Sequence, residues 1–183
     1  MIPPTRLLSA ALVAAALLLA PSVASAFERQ WHAGADVGYT ALLFQGGRAG
    51  HGFGGGLHLT YGFNDAWNLL GEINTTYHPS GRFLLAGGGV GVGYVVDILQ
   101  WVPHVGALIG AYDIANTWRQ CSTPNHAACN SAWATLSVPF GLDYTISRSF
   151  SVGLGGRYQL LISHVGVVNA IGAFARVEYL WGY

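Results

Sequence analysis

Five charged residues set within apolar stretches are the first candidates for chemistry in this chain of 183 residues. They are Asp36, Glu72, Arg157, Arg176 and Glu178. Each is flanked by apolar or small residues, so a period of two puts the charge on one face of a strand and its neighbours on the other. Buried charges are tolerated only when they are paired. We therefore predict an ion-pair cluster, which forms either a structural polar core or a gated or proton-linked passage.

Histidine and serine supply the other candidate chemistry. His51, His78, His126 and His164 lie in or beside the segments that connect predicted strands, and imidazole is the commonest metal ligand in proteins. Ser163 precedes His164, but adjacent residues on a strand point to opposite faces, so they do not form a natural nucleophile–base pair. We predict no catalytic residue, cofactor or metal site. A metal site at one mouth of the fold and an enzyme site stay open as alternatives.

The two cysteines lie eight positions apart in a polar segment. Cys121 and Cys129 are most simply explained as a disulfide that closes one loop in an oxidising compartment. The alternative of a redox or metal-binding pair lacks the CxxC spacing and further cysteines.

Eight stretches have the alternating pattern of strands, and each is at least as long as the 9–11 residues that a tilted strand needs to cross a bilayer. They span residues 31–44, 52–63, 67–78, 82–97, 101–112, 132–146, 150–163 and 168–183. Tight connections at 64–66, 98–100 and 147–149 alternate with connections that are mostly longer and polar. An even number of strands with short turns on one side is typical of outer-membrane barrels.

The composition favours a membrane environment. Charged residues are 9% of the chain and hydrophobic residues 52%, whereas an ordinary soluble domain has about 25% charged residues. No stretch of residues 27–183 is predicted to be a spanning helix, and only helices and closed barrels satisfy every backbone group in hydrocarbon. We therefore predict an all-β fold, an eight-stranded antiparallel up-and-down transmembrane β-barrel. The zero net charge and the lack of lysine give no support to nucleic-acid binding.

The N-terminal segment has the pattern of a secretory signal peptide. Arg6 precedes an apolar run over residues 7–20, and Ala24-Ser25-Ala26 forms a small-residue cleavage site. The apolar run is shorter than the roughly 20 residues that a membrane-spanning helix needs. We predict that residues 1–26 are a signal peptide and that residues 27–183 form the barrel domain.

The last strand ends in alternating apolar and aromatic residues. Val177, Tyr179, Trp181 and Tyr183 share one face, which suits a strand with lipid on that face and aromatic side chains at the membrane interface. With the signal peptide and the alternation of turns, this ending resembles the small eight-stranded outer-membrane barrels of the OmpA/OmpX-like group. The resemblance covers residues 27–183, although phenylalanine is commoner than tyrosine at the last position.

The resemblance implies a location, partners and a range of activities. It implies residence in the outer membrane of a Gram-negative bacterium, contact with outer-membrane lipids and lipopolysaccharide, and recognition of the terminal residues by the barrel-assembly machinery. Members of the group act as anchors, adhesion or resistance factors, small pores and, occasionally, lipid-modifying enzymes. Arg48, Arg82 and Arg119 lie near the predicted outer rim, where bidentate contacts to lipopolysaccharide phosphates are expected.

The predicted interior leaves two functions open. In a closed barrel the seventh, eighth and first strands are neighbours, so Asp36, Arg157, Arg176 and Glu178 are expected at one height, with Glu72 reaching from the opposite wall. Inward glycines over 52–56 and 87–93 remove side-chain volume, so facing residues fill the space or a narrow watery cavity remains. We favour a structural or cell-surface interaction role. A narrow pore for small solutes or ions is the alternative, and a lipid-modifying enzyme or a metal-binding surface barrel is less favoured.

Overall fold

The computed structural model describes residues 29–44, 49–116, 130–163 and 166–182. Its eight strands are β1 (Trp31–Leu43), β2 (Ala49–Gly62), β3 (Trp67–His78), β4 (Phe83–Val95), β5 (Trp101–Asn116), β6 (Asn130–Ser147), β7 (Phe150–Ser163) and β8 (Gly166–Trp181). Each strand pairs antiparallel with the next, and β8 pairs with β1 to close the barrel. The predicted eight-stranded antiparallel up-and-down barrel is confirmed. Within the described part of the chain, no helix is long and apolar enough to cross a membrane.

The two ends of the barrel differ in their connections. One end, called here the turn end, carries the β2–β3, β4–β5 and β6–β7 turns and the ends of β1 and β8 nearest the chain termini. Asn64 shapes the first of these turns, because its Oδ1 accepts hydrogen bonds from the backbone N–H groups of Ala66 and Trp67 at 2.9 and 2.7 Å. At the opposite end, called the loop end, β1 is connected to β2, β3 to β4, β5 to β6 and β7 to β8.

Three strands are longer than the sequence pattern predicts: β2, which begins at Ala49, and more markedly β5 and β6. β5 continues to Asn116 and β6 begins at Asn130, where Ala115 pairs with Asn130 and Ile114 with Ser131. These residues belong to a polar stretch, which the pattern assigned to a loop. Backbone pairing continues through them because the antiparallel ladder needs only N–H and C=O groups and not apolar side chains.

The outer surface of the barrel is apolar. Val37, Ile109 and Leu154 point outward and are 67%, 67% and 71% exposed, and other leucine, isoleucine and valine side chains share this orientation on every strand. A monomeric soluble protein rarely exposes a continuous apolar surface of this kind. The surface is therefore in contact with lipid, as the alternation predicts.

A group of aromatic rings covers the turn end of the junction between β1 and β8. This seam cluster consists of Trp31, Tyr61, Tyr179 and Trp181. The ring centroid of Trp31 lies 4.6 Å from that of Tyr61 and 6.4 Å from that of Trp181, and the rings of Tyr179 and Trp181 lie 5.9 Å apart. Aromatic residues at this level form the interfacial girdle of a membrane barrel. Here they also join the first strand to the last.

The interior of the barrel is divided into two layers. Toward the loop end, six buried residues pack together in what we call the apolar layer: Leu42, Leu85, Tyr112, Trp133, Leu161 and Ala170. They come from six of the eight strands, so the layer extends across the interior. Toward the turn end, the interior is occupied mainly by charged and polar side chains.

Replacing Trp31 with alanine is expected to weaken the closed barrel. The substitution removes two aromatic contacts at the seam, and each such contact contributes about 0.5–1.5 kcal/mol. We expect the free energy of unfolding to fall by about 1–3 kcal/mol, measured by urea titration in lipid vesicles with the heat-dependent gel mobility shift as readout.

Trp101→Ala is the matched control, because Trp101 makes one ring contact, with Tyr144 at 4.8 Å, away from the seam. Equal losses for the two variants would contradict a special contribution of the seam cluster.

Candidate functional site

A network of charged side chains occupies the interior between the apolar layer and the turn end. Arg157, on β7, places Nη2 2.6 Å from Glu72 Oε2, on β3, across the interior. Arg157 is 7% exposed, so the pair is largely removed from solvent. The guanidinium carbon of Arg157 also lies 4.8 Å from the centre of the Phe174 ring, which adds a cation–π contact.

The other three predicted charges form a second group at the barrel seam. Asp36 and Arg176 lie directly opposite each other where β1 pairs with β8, and Arg176 Nε is 3.6 Å from Asp36 Oδ1. Arg176 Nη2 is 3.1 Å from Glu178 Oε1 on the same strand. The five predicted residues therefore all lie in the interior but in two ion-paired groups, with Arg157 bonded to Glu72 rather than to the seam acids.

Histidines that the sequence analysis did not assign to the cluster connect its acids. His58 lies between two carboxylates, with Nδ1 3.0 Å from Asp36 Oδ2 and Nε2 2.7 Å from Glu178 Oε1. His32 places Nδ1 3.4 Å from Glu178 Oε2, and the Ser151 hydroxyl donates to the same oxygen at 3.2 Å. Glu178 is therefore the most highly bonded acid of the seam group.

A third histidine extends the seam group toward β6. Arg176 Nη1 donates to His104 Nε2 at 2.8 Å, and His104 Nδ1 lies 3.0 Å from Asp143 Oδ2. A ring that accepts at Nε2 and donates at Nδ1 suits both partners at once. The period-two pattern carried a signal for these residues, since His32, His58, His104 and Asp143 all fall at inward positions.

A chain of neutral hydrogen bonds links the network to the apolar layer. Glu72 accepts from Asn74 at 3.4 Å, Asn74 Oδ1 accepts from the Tyr112 hydroxyl at 2.6 Å, and Gln159 Nε2 donates to the Tyr112 oxygen at 3.0 Å. Gln159 also donates to Ser137 at 3.1 Å. Tyr112 thus has its ring in the apolar layer and its hydroxyl in the polar network.

The inward glycines make room for side chains from neighbouring strands. An alanine Cβ at Gly34 would lie 2.3 Å from His58 Nε2 and 2.5 Å from a backbone oxygen, and one at Gly141 would lie 2.7 Å from the His104 ring. Such distances are too short for real contacts. The space beside Gly34 and Gly141 is therefore occupied by histidine rings from adjacent strands, whereas the glycines of 87–93 face mainly backbone atoms and the side chains of Tyr112, Leu108 and Leu70.

A small cavity remains among the charged residues. Its volume is about 80 Å³, and it is lined by residues of both ion-paired groups together with Asn68, Leu70 and Leu108. Side chains thus fill most of the interior, and a small cavity with a mixed polar and apolar lining remains on the turn-end side of the apolar layer.

The histidines predicted to lie in or beside the connections between strands have different environments. His78 is the last residue of β3, but its side chain points inward, is fully buried and stacks on Phe83 with the ring centroids 4.7 Å apart. His78 therefore does not project into the connection, because it holds the last position of β3 at inward parity. His51 is exposed on the outer face, where its Nδ1 contacts the Tyr39 hydroxyl. His126 and His164 lie outside the described residues.

Several other predicted site residues also lie outside the described part of the chain. These are Arg48, Arg119, Cys121, Cys129 and Tyr183. Arg82 is described: it lies at the exposed β3–β4 turn with φ 50°, and its backbone N–H donates to Pro79. Val177, Tyr179 and Trp181 face outward.

Among the residues that the structure describes, no group of three or more His, Cys, Asp and Glu side chains is arranged to hold a metal ion.

Solved structures with this architecture are small outer-membrane barrels. The chain matches Neisserial surface protein A with a TM-score of 0.67 and 18% identity, over 81% of this chain and 96% of that one. It matches the N-terminal β-barrel domain of Pseudomonas aeruginosa OprF with a TM-score of 0.60 and 14% identity, over 84% of this chain and 98% of that one. It matches Ail, the attachment invasion locus protein of Yersinia pestis, with a TM-score of 0.54 and 15% identity, over 84% of this chain and 99% of that one. The chain has the fold of the small outer-membrane β-barrels.

This fold and the lipid-facing exterior give the protein its location. A barrel with an apolar outer band and a charged interior is stable only in a bilayer, and the solved barrels it matches are outer-membrane proteins. The protein is therefore located in the outer membrane of a Gram-negative bacterium. No family model and no curated protein matches the sequence.

Replacing Glu72 with glutamine is expected to destabilise the barrel strongly. The change leaves the buried Arg157 without its counter-charge, and breaking a buried pair costs about 3–5 kcal/mol. The free energy of unfolding in urea is the measurement. The double variant Glu72→Gln, Arg157→Gln is expected to recover part of the loss, because neither charge is then left unpaired.

Asp65→Asn, at an exposed position in the β2–β3 turn, is the control for removal of a carboxylate and is expected to change stability by less than about 0.5 kcal/mol. If Glu72→Gln lowered the free energy of unfolding by less than about 1 kcal/mol, the Glu72–Arg157 pair would not stabilise the barrel as proposed.

Proposed function

We propose that the protein is a closed membrane barrel with a structural or cell-surface interaction role, and that it is neither an enzyme nor an open pore. The observation that carries the proposal is the apolar layer. Leu42, Leu85 and Leu161 are only 1–2% exposed, and they pack with three further side chains across the interior. An ion that moves along the barrel axis would have to leave water to pass this layer, and a narrow hydrophobic constriction blocks conduction by excluding water.

The charged network supports the same role. Its acids and arginines are bonded to partners on β1, β2, β3, β5, β6, β7 and β8, so the network connects distant parts of the barrel wall. A passage would need groups that exchange partners easily, whereas these pairs are enclosed and each acid has a partner within 3.0 Å. The network therefore supports a rigid polar core.

A narrow pore is the second candidate, and the cavity among the charged residues favours it. The cavity occupies the half of the barrel nearer the turn end, so the apolar layer alone separates it from the loop end. If that layer moved aside, the cavity would open to the loop end. The two proposals thus make opposite predictions about conductance.

The partners we propose follow from the location. Outer-membrane lipids surround the apolar band, and Arg48, Arg82 and Arg119 are proposed to bind lipopolysaccharide phosphates at the loop end. Val177, Tyr179, Trp181 and Tyr183 are proposed as the residues that the barrel-assembly machinery recognises during insertion. The pair Cys121 and Cys129 is proposed as a disulfide within the long β5–β6 connection.

Conductance in planar bilayers tests the closed-barrel proposal. We expect no steady openings for the natural protein. The double variant Leu42→Ser, Leu85→Ser is expected to conduct, because its hydroxyl groups let water enter the apolar layer. Leu42→Ala, Leu85→Ala removes nearly the same volume but is expected to stay closed, since apolar cavities stay dry.

Steady openings of the natural protein would overturn the closed-barrel proposal in favour of the pore. Equal conductance of the alanine and serine variants would show that volume, and not exclusion of water, closes the barrel. Arg157→Ala tests the network in the same assay and is expected to stay closed, because the apolar layer is unchanged.

Lipopolysaccharide binding tests the proposed arginine contacts. Each exposed charge contact contributes about 0.2–1 kcal/mol. The triple variant Arg48→Ala, Arg82→Ala, Arg119→Ala is therefore expected to bind lipopolysaccharide about threefold to a hundredfold more weakly, measured by titration of the refolded protein. Arg148→Ala, at the turn end, is the control and should leave binding unchanged. Unchanged binding of the triple variant would exclude these arginines as the contact.

A further inference from the structure

Two apolar residues, Ile98 and Leu99, form the end of the β4–β5 turn, which we call the apolar tip. Leu99 is 93% exposed, more than any other large hydrophobic side chain in the described part of the chain, and Ile98 is 52% exposed. The apolar tip lies at the turn end, which faces the periplasm, since the short turns of outer-membrane barrels are the periplasmic ones. Packing within the barrel does not account for a leucine exposed to this degree.

The backbone of the turn makes leucine an unfavourable choice at its position. Ile98 and Trp101 exchange backbone hydrogen bonds of 2.9 and 3.0 Å, so Leu99 and Gln100 form a two-residue hairpin turn. Leu99 has φ 61°, in the left-handed region where glycine and asparagine are favoured and a bulky side chain is disfavoured. Any contribution of this side chain to stability therefore has to come from what it contacts outside the protein.

Hydrogen bonds to β6 hold the turn in place. The Gln100 carbonyl accepts from the Thr145 N–H at 2.8 Å, and the Tyr144 hydroxyl donates to Gln100 Oε1 at 2.6 Å. The polar residue of the turn is thus bonded to the barrel wall, while Leu99 beside it faces the surroundings.

The apolar outer surface of the barrel continues into this turn without a break. Along β4 and the residues that follow it, Val92, Tyr94, Val96 and Ile98 occupy outward positions and are 40–52% exposed. Trp101 then begins the outward face of β5. Because that outer surface is in contact with lipid, the apolar tip extends the lipid-contacting surface toward the periplasm, beyond the aromatic side chains.

The other two turns at this end carry exposed charged residues. Asp65 lies in the β2–β3 turn and Arg148 in the β6–β7 turn. In the β4–β5 turn the one charged residue is Asp97, and its Oδ1 is buried. The turn end is therefore asymmetric, with an apolar tip beside β4 and β5 and charged turns elsewhere.

We propose that Ile98 and Leu99 insert into the periplasmic leaflet of the outer membrane, where they contact phospholipid acyl chains close to the headgroups. Burial of the leucine in lipid offsets the unfavourable conformation of its backbone. The turn thereby anchors the β4–β5 side of the barrel at a fixed depth. This interaction depends on the membrane location alone and not on whether the barrel conducts or binds lipopolysaccharide.

Paramagnetic agents that stay in lipid or in water test the proposal. The protein, labelled with ¹³C at its leucine methyl groups, is refolded in phospholipid nanodiscs, and the Leu99 signal is identified by its loss in Leu99→Met. We expect a nitroxide carried on a lipid acyl chain to attenuate the Leu99 methyl signals at least twofold. The outward Leu154, which is 71% exposed, should respond in the same way, and the buried Leu42 should respond weakly.

Asp65→Leu is the matched control, because it puts a leucine into a polar turn at the same end of the barrel. We expect a water-soluble gadolinium chelate to attenuate the introduced leucine at least twice as strongly as Leu99. Equal protection of the two would show that every turn at this end lies in lipid. Attenuation of Leu99 by the chelate and not by the nitroxide would show that the apolar tip lies in water. Either result overturns the proposal.

Unfolding by urea in phospholipid vesicles tests the same contact through stability. Asparagine accommodates a positive φ better than leucine does, so Leu99→Asn would raise the urea midpoint if the apolar tip lay in water. We expect a lower midpoint instead, because the polar side chain loses the contact with lipid. Leu99→Met keeps an apolar side chain of similar size and should leave the midpoint unchanged. A raised midpoint for Leu99→Asn, or equal shifts for the two variants, would contradict insertion.

Discussion

The pairing of β1 with β8 places Asp36 opposite Arg176, and the polar interior is organised around that contact. Arg176 also bonds Glu178 on its own strand and His104 on β5. Through His58, Asp36 is joined to Glu178 again from β2. The first and last strands meet only when the barrel closes, so this group of bonds is complete only in the closed barrel. Closure and assembly of the polar core are therefore one event.

The bilayer allows the charged residues of the strands only the inward orientation. A charge on the lipid face near the middle of the membrane costs about 2–4 kcal/mol for arginine, so inward residues such as Arg157 and Arg176 have no acceptable alternative orientation. A slip of one residue in any strand pairing would exchange the inward and outward sets. The apolar outer band and the charged interior thus specify the same register from opposite sides, and the seam cluster reinforces it between β1 and β8.

The sequence pattern predicted most of the fold because one periodicity governs the whole chain. Alternation identified the eight strands, the outward apolar set and the inward positions of Asp36, Glu72, Arg157, Arg176 and Glu178.

Alternation did not predict which charges pair, because pairing across the interior depends on the stagger of strands that are far apart in sequence. For this reason Arg157, on β7, pairs with Glu72 on β3 rather than with Glu178 on the neighbouring strand β8. The roles of His32, His58 and His104 were missed because a lone histidine at inward parity has no distinctive spacing. The apolar layer was missed because its members are single residues from six strands.

Two inward glycines limit how related sequences can diverge. The space inside Gly34 is taken by the His58 ring and by the Val177 backbone oxygen, and the space inside Gly141 by the His104 ring and the Leu154 backbone oxygen. A smaller residue at position 58 or 104 would remove the ring but not the backbone oxygen. Homologous chains should therefore keep glycine at positions 34 and 141 even where the facing histidine has changed.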